Sequence, residues 1–167
     1  APTYDLTQAF PDEVEVVCLP SRQTTTFENV YAADGSRQQT IHAVARHIDA
    51  DDVPEAWQNA KIVHMAPIAE EIDPAIAKAF PNSAIGLTPQ GWLRGWDPQG
   101  RVFSERAPHV ASLLPLTSAI VVSEEDLVSA EQVDQALEYT PLIVVTDGAK
   151  GCVVHFEGEA RSYVPPT

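Results

Sequence analysis

The chain has 167 residues, of which 44% are hydrophobic, and a formal net charge of -14 from 24 acidic and 10 basic side chains. That is enough for one folded domain with a sizeable core, and the charge argues against nucleic acid or an anionic membrane as partner, since both need a basic surface. No run approaches the ~18 consecutive apolar residues of a membrane helix, so we expect a cytoplasmic protein.

Strand-forming residues dominate the front of the sequence. Residues 14–18 have the composition of a short strand, and the β-branched and aromatic residues of 24–31 are followed by a second such run at 37–43. Asp34-Gly35 between those two runs predicts a hairpin. The one organisational break falls near Ala45, and we interpret 14–44 as a β-rich front and 45–167 as an α/β core.

Apolar runs alternate with helix-like stretches from Ala60 onward. Asp73 followed by Pro74 predicts a helix that continues to Phe80, with aspartate as its cap. Short apolar runs separated by helices are typical of a buried parallel sheet. The sequence therefore predicts an α/β fold, a three-layer and mainly parallel Rossmann-like sheet with helices on both sides. The predicted strands are at 61–66, 83–87, 119–122 and 142–146, and a closing antiparallel hairpin is expected at 152–156 and 160–164.

Two cysteines are present, Cys18 and Cys152. Both lie in apolar runs and neither has a histidine or cysteine at ligand spacing. We therefore expect buried free thiols, with neither a disulfide nor a zinc site.

A serine and three acids follow the third predicted strand of the core, at 123–126. One interpretation is a capping arrangement, in which Ser123 and the acids stabilise the start of a short helix. The other is that Glu125 and Asp126 hold Mg²⁺-bound phosphate, because carboxylate oxygens suit that ion. The sequence alone leaves both interpretations open.

A loop with two glycines follows the next predicted strand, at 146–151. Its Asp-Gly and Lys-Gly pairs are also ordinary hairpin chemistry. Gly148 and Gly151 would, however, let backbone amides approach a phosphate or an adenine closely.

In this order the two loops resemble the nucleotide half of the ribokinase-like (PfkB) carbohydrate and nucleoside kinases. That family has an Asn-x-x-Glu motif after one strand and a Thr-x-Gly-x-x-Gly loop after the next. The second motif is matched at Thr146, Gly148 and Gly151, whereas the first has Ser123 for asparagine and Asp126 for glutamate. The resemblance implies nucleotide contacts from Ser123, Asp126, Thr146, Asp147, Gly148, Lys150 and Gly151.

The resemblance continues upstream, because the family places lid strands before its main sheet, and it implies that 14–44 is a partial β lid with substrate-side strands. Residues 88–94 occupy the place of the family's Asp-x-Asn-x-Arg loop, with Arg94 as a direct match and Gln90 as a looser one. The resemblance thus implies substrate contacts from Gln90, Arg94 and, on the lid, Asn29. Packing in the loop for Trp92 and a surface ion pair for Arg94 are the structural alternatives.

The implied function is transfer of a phosphoryl group from ATP, with Mg²⁺, to a hydroxyl of a sugar or nucleoside. The family's Gly-Ala-Gly-Asp segment, which supplies the catalytic base, is expected beyond Thr167, so we assign no catalytic residue and expect this chain alone to be inactive. The alternative is a non-catalytic nucleotide- or sugar-binding module of the same fold. A homodimer through the lid is a further expectation.

Overall fold

A computed structural model describes residues 9–34, 36–108 and 110–165. Gly35, half of the predicted lid turn, lies outside the described residues. The described residues form ten strands: β1 (Thr26–Tyr31), β2 (Arg37–Ala43), β3 (Ile62–Met65), β4 (Ala84–Leu87), β5 (Arg94–Trp96), β6 (Val102–Ser104), β7 (Ala119–Ser123), β8 (Leu142–Thr146), β9 (Cys152–Phe156) and β10 (Glu159–Tyr163).

Six of these strands make the central sheet, in the order β10-β9-β8-β7-β4-β3. Strands β3, β4, β7 and β8 run parallel, while β9 and β10 are antiparallel to their neighbours. The predicted mainly parallel sheet and its closing hairpin are thus confirmed. The β1–β2 and β5–β6 hairpins form two separate small sheets.

Helical structure in the described residues is sparse. The α-helix α1 spans Glu131–Leu137. The other helical segments are short 3-10 turns at Ala50–Asp52, Glu55–Trp57, Pro74–Ala79, Pro89–Gly91, Val110–Leu116, Glu124–Asp126 and Gly148–Lys150. The segment predicted after Asp73 is present and capped, since the Asp73 side chain accepts a hydrogen bond from the Ala75 amide. It is, however, a 3-10 helix.

The core lies on one face of the central sheet. Strand register places Met65, Leu87, Ile120 and Ile143 in one row on this face, and all four are buried. Side chains from α1 and from the 74–79 and 110–116 segments pack into the same cluster. No described helix is long and apolar enough to span a membrane.

The opposite face of the sheet is called the open face below. The strand register places five large apolar side chains on it: Ile62, Val121, Leu142, Phe156 and Tyr163. Ile62 is 77% exposed and Val121 41% exposed. The expectation of helices on both sides is therefore not met by the described residues, since α1 and the two longer 3-10 segments all join the one core cluster.

Two local predictions at the front were wrong. Residues 14–18 form no strand, and Cys18 is exposed. A strand needs a partner for its backbone hydrogen bonds, and this segment belongs to none of the ladders that the described residues form. Cys152 lies in β9 and is half-buried.

Candidate functional site

The carboxyl ends of β7 and β8 bring the two predicted donor loops side by side. Ser123 and Thr146, the last residues of these strands, are paired in register. The Thr146 hydroxyl lies 3.4 Å from the Val122 carbonyl, to which it donates a hydrogen bond. Ligands of open α/β sheets bind beyond this end of the strands.

The loop after β7 begins with the predicted cap. The Ser123 hydroxyl accepts a hydrogen bond from the Glu125 amide at 3.4 Å, and the three acids form the 3-10 turn that follows. The capping interpretation of the sequence is thus present in the structure. The three acidic side chains of the turn have different environments, which are described in turn below.

Asp126 is buried and pairs with Arg94. Arg94 donates to one oxygen of Asp126, at 3.2 Å from Nε and 3.0 Å from Nη2, and both side chains are less than a tenth exposed. Gln90 completes the group when its amide oxygen faces the guanidinium, as the hydrogen-bond network requires, and it then accepts from Nη1 at 3.2 Å. The sequence analysis considered a surface ion pair for Arg94. Arg94 does form an ion pair, but the pair is buried.

Glu125 points towards the β1–β2 hairpin, the predicted lid. Its carboxylate lies 3.3 Å from Nη2 of Arg37, the first residue of β2, and the Glu125 side chain is 76% exposed. Its backbone carbonyl accepts a hydrogen bond from Ser104 at 2.9 Å. The sequence analysis did not single out Arg37, because 88 residues separate it from Glu125 and only the folded topology brings them together.

The predicted lid residue Asn29 is exposed on β1. Its amide oxygen accepts a hydrogen bond from Gln39 at 2.9 Å, across the β1–β2 ladder. Trp92, by contrast, is 2% exposed and donates from Nε1 to the Ile72 carbonyl at 2.8 Å. Packing in the loop is therefore the role that the structure gives Trp92.

The loop after β8 is closed at its base by a hydrogen bond from the Asp147 amide to the Gly151 carbonyl, at 2.8 Å. Gly151 has φ +102°, and a Cβ there would lie 1.9 Å from the Tyr163 carbonyl oxygen, so only glycine fits. Gly148 also has positive φ, at +48°, but a Cβ there would meet nothing within 4 Å. The first half of the loop is thus open towards solvent.

Lys150 spans this loop and pairs with Asp147 at 2.9 Å. Its hydrogen bond, together with its charge, lowers the pKa of Asp147, and the same contact raises the pKa of Lys150. Glu124, on the neighbouring loop, also helps to raise the pKa of Lys150. The loop after β8 therefore carries an exposed cation beside its glycine turn.

A resident magnesium ion does not fit these residues well. Asp126 is used by Arg94, and Glu125 is paired with Arg37. Within the described ranges no three histidine, cysteine or acidic side chains come together in a group that could hold a metal. Direct ligation of Mg²⁺ by Glu125 and Asp126 thus stays a prediction without geometric support.

Solved structures show which fold this is. A pyrophosphate-dependent kinase in the ribokinase family, in complex with sulfate, is 20% identical and superposes with a TM-score of 0.72 over 90% of this chain. The nucleoside kinase of Methanocaldococcus jannaschii, an archaeal member of the ribokinase family, is 19% identical with a TM-score of 0.56 over 85% of this chain. Ribokinase of Arabidopsis thaliana, complexed with ribose and ATP, is 20% identical with a TM-score of 0.50 over 83%.

The chain therefore has the ribokinase-like fold. It spans about half the length of these structures, at 56%, 46% and 47% of each. No protein-family model matches the sequence, and no curated protein matches it either. At such low identity the likeness establishes the fold alone, whereas the reaction depends on the residues of the site.

Proposed function

We propose that this chain is the donor-side part of a phosphotransferase that phosphorylates a hydroxyl of a sugar, polyol or nucleoside. The observation that carries the proposal is the register of Ser123 with Thr146, which sets a capped acidic loop beside a glycine loop at the carboxyl end of the sheet. The ribokinase-like fold of the neighbours supports it.

Phosphoryl transfer depends mainly on positioning the reacting groups and neutralising charge. The open turn at Gly148 would present backbone amides to the phosphates, and Lys150 would supply a positive charge beside them. The phosphorus–oxygen bond to the leaving phosphate breaks as a new one forms to the acceptor oxygen. The acceptor proton must pass to a base, and the printed sequence contains no Gly-Ala-Gly-Asp segment to supply it.

Two of the predicted acceptor contacts remain suitable. Asn29 is exposed on the lid and Gln90 is half-buried in the loop after β4. Arg94 is occupied by Asp126 and is less suited to direct contact with an acceptor. We therefore assign the acceptor side to Asn29 and Gln90, and we keep the cytoplasmic location and the lid-mediated dimer as parts of the proposal.

The donor is either ATP or pyrophosphate. The sequence motifs favour ATP, and the Arabidopsis thaliana ribokinase neighbour is complexed with ATP. A second structure of the pyrophosphate-dependent kinase, with a pyrophosphate analogue and myo-inositol, superposes better, with a TM-score of 0.72. In either case Mg²⁺ would arrive with the donor as part of the substrate.

Donor binding is the decisive measurement, because it does not depend on the catalytic base. We expect saturable binding of Mg-ATP or Mg-pyrophosphate in isothermal titration calorimetry. Gly148→Val should weaken it about tenfold, equivalent to about 1.4 kcal/mol, because a β-branched residue is disfavoured at φ +48°.

Gly158→Val is the matched control, since Gly158 has φ +79°, equally open surroundings and a place in the distant β9–β10 turn. It should strain the chain similarly and leave donor affinity unchanged. Equal losses in both variants, or no binding to the wild-type chain, would contradict the proposed site.

A non-catalytic nucleotide- or sugar-binding module of the same fold is the second candidate, favoured because Glu125 and Asp126 are both paired with arginines. It predicts the same donor binding but no turnover when the chain is studied within its full-length protein. Phosphorylation of any acceptor in a panel of sugars, polyols and nucleosides by that protein would decide for the enzyme.

A further inference from the structure

A buried ion pair joins two loops that the proposed reaction uses separately. Arg94 begins β5, directly after the loop that follows β4, and Asp126 ends the 3-10 turn that follows β7. Their side chains are 6% and 7% exposed, so water contributes little to satisfying either charge. Removing either partner would leave the other as an unpaired buried charge, which is strongly unfavourable.

The local sequence explains why this pair can control the loop. The acidic turn is only three residues long, and its backbone–backbone hydrogen bond runs from the Leu127 amide to the Glu124 carbonyl at 3.2 Å. The hydroxyls of Ser123 and Ser104 add hydrogen bonds to the backbone of Glu125 but none to Asp126. So short a turn has little stability of its own. Two hydrogen bonds from Arg94 to one carboxylate oxygen, at 3.0 and 3.2 Å, fix its last residue.

We propose that Arg94 is a positioning residue that holds the acidic turn, through Asp126, in the geometry needed for donor binding. This inference rests on the proposed function for its binding readout. It changes the roles of both residues: Asp126 is an anchor inside the protein and not a metal ligand, and Arg94 acts on the donor through the turn. Gln90, which accepts from Arg94, extends the anchor to the loop after β4.

Three variants distinguish a role of the Arg94–Asp126 pair in positioning the acidic turn from a contribution to folding stability alone. Asp126→Asn keeps the shape of the side chain but removes its charge. The double variant Arg94→Met with Asp126→Val replaces the pair by apolar groups, a kind of change that often restores stability. Arg101→Gln is the control, because Arg101 forms an exposed ion pair with Asp97 at 2.9 Å in the β5–β6 hairpin.

Each variant is measured by urea unfolding, by calorimetric titration with Mg-ATP and with Mg-pyrophosphate, and by hydrogen exchange at the Leu127 amide. We expect Asp126→Asn to lower the unfolding midpoint and to weaken donor binding at least tenfold. The double variant should recover the midpoint and keep both the weak binding and an at least tenfold faster exchange at Leu127. Arg101→Gln should change none of the three.

A double variant that recovers donor affinity and slow exchange together with its stability would overturn the inference, since the pair would then be structural only. Failure of the wild-type chain to bind either donor would instead remove the proposed function. In that case the exchange rate at Leu127 still decides whether Arg94 and Asp126 position the turn. If the double variant does not fold, Arg94→Lys gives the same comparison, because it keeps the charge but loses the two-bond geometry.

Discussion

Three adjacent acids in the turn after β7 have three different environments. Asp126 is enclosed with Arg94, Glu125 is paired with Arg37 of the lid, and Glu124 lies near Lys150. Burial decides how much each contact matters, because exposed ion pairs contribute at most about 1 kcal/mol whereas breaking a buried pair costs about 3–5 kcal/mol. The strongest effects of substitution in this turn should therefore come from Asp126.

The exposed Lys150–Asp147 pair in the loop after β8 changes the pKa of Asp147. Lys150 lowers the pKa of Asp147, first through its hydrogen bond and then through its charge. A lowered folded-state pKa adds stability above the pKa of the unfolded chain, and that stability is lost as pH falls through the folded-state value. Because the pair is exposed, we expect the effect on stability to be small.

NMR titration of the aspartate carboxyl carbons should place the pKa of Asp147 below its ordinary value, and Lys150→Gln should move it back upwards. Arg101→Gln, which breaks a different exposed pair, should leave the pKa of Asp147 where it is. An Asp147 titration indifferent to Lys150→Gln would show that the contact is not formed in solution.

The lid hairpin depends on its contact with the β5–β6 hairpin. A two-stranded sheet is marginally stable alone, and the buried residue of this one is Ile41, at 8% exposure. The Ile41 amide also donates to the Gly100 carbonyl at 2.8 Å. Ile41→Ala should therefore release the lid locally, with a loss of about 2–5 kcal/mol at that contact.

Hydrogen exchange of the β1 and β2 amides should report this release, while the unfolding midpoint of the central sheet stays nearly constant. Val30→Ala serves as the control, since Val30 lies in the same hairpin but is 55% exposed. The role given to Ile41 would be wrong if both variants accelerated exchange equally.

The elements differ in how far local sequence determines them. The parallel strands were predictable because β3, β4, β7 and β8 are short apolar runs bounded by polar turns. The β5–β6 hairpin was missed, since each strand has three residues and Gly95 interrupts the first pattern. Residues 14–18 have strand composition but no partner, and strand propensity is realised only through pairing and packing.

For the candidate site, the sequence predicts which loops lie together but not the contacts between side chains. The carboxyl ends of parallel strands lie at one edge of a sheet, so the sequence correctly predicted that the loops after β7 and β8 lie together. The pairs Arg94–Asp126 and Arg37–Glu125 span 32 and 88 residues. Such pairs follow from the arrangement of the lid and the β5 hairpin over the sheet, which no local pattern encodes.

At the scale of the whole described chain, the central sheet has one well-covered face. Mainly parallel sheets normally have both faces covered, but here α1 and the 74–79 and 110–116 segments join one core cluster. Among the described residues, side chains of the open face remain partly exposed. Ile62, Val121, Phe156 and Tyr163 are 77%, 41%, 47% and 52% exposed on that face. Exposed apolar side chains on a sheet face favour association between molecules.

We therefore expect this chain, studied alone, to associate with rising concentration and to bind a hydrophobic dye, as measured by light scattering and 8-anilinonaphthalene-1-sulfonate fluorescence. Replacing both Ile62 and Val121 by threonine should reduce both signals, because threonine keeps the β-branched shape that strands prefer while adding a polar group. Val128→Thr is the matched control, since Val128 is 47% exposed but lies outside the sheet. If the control reduced association as much as the open-face variant, exposed apolar side chains in general would be responsible. If neither changed it, the lid would become the expected contact surface, and Val30→Thr would test that surface in the same assay.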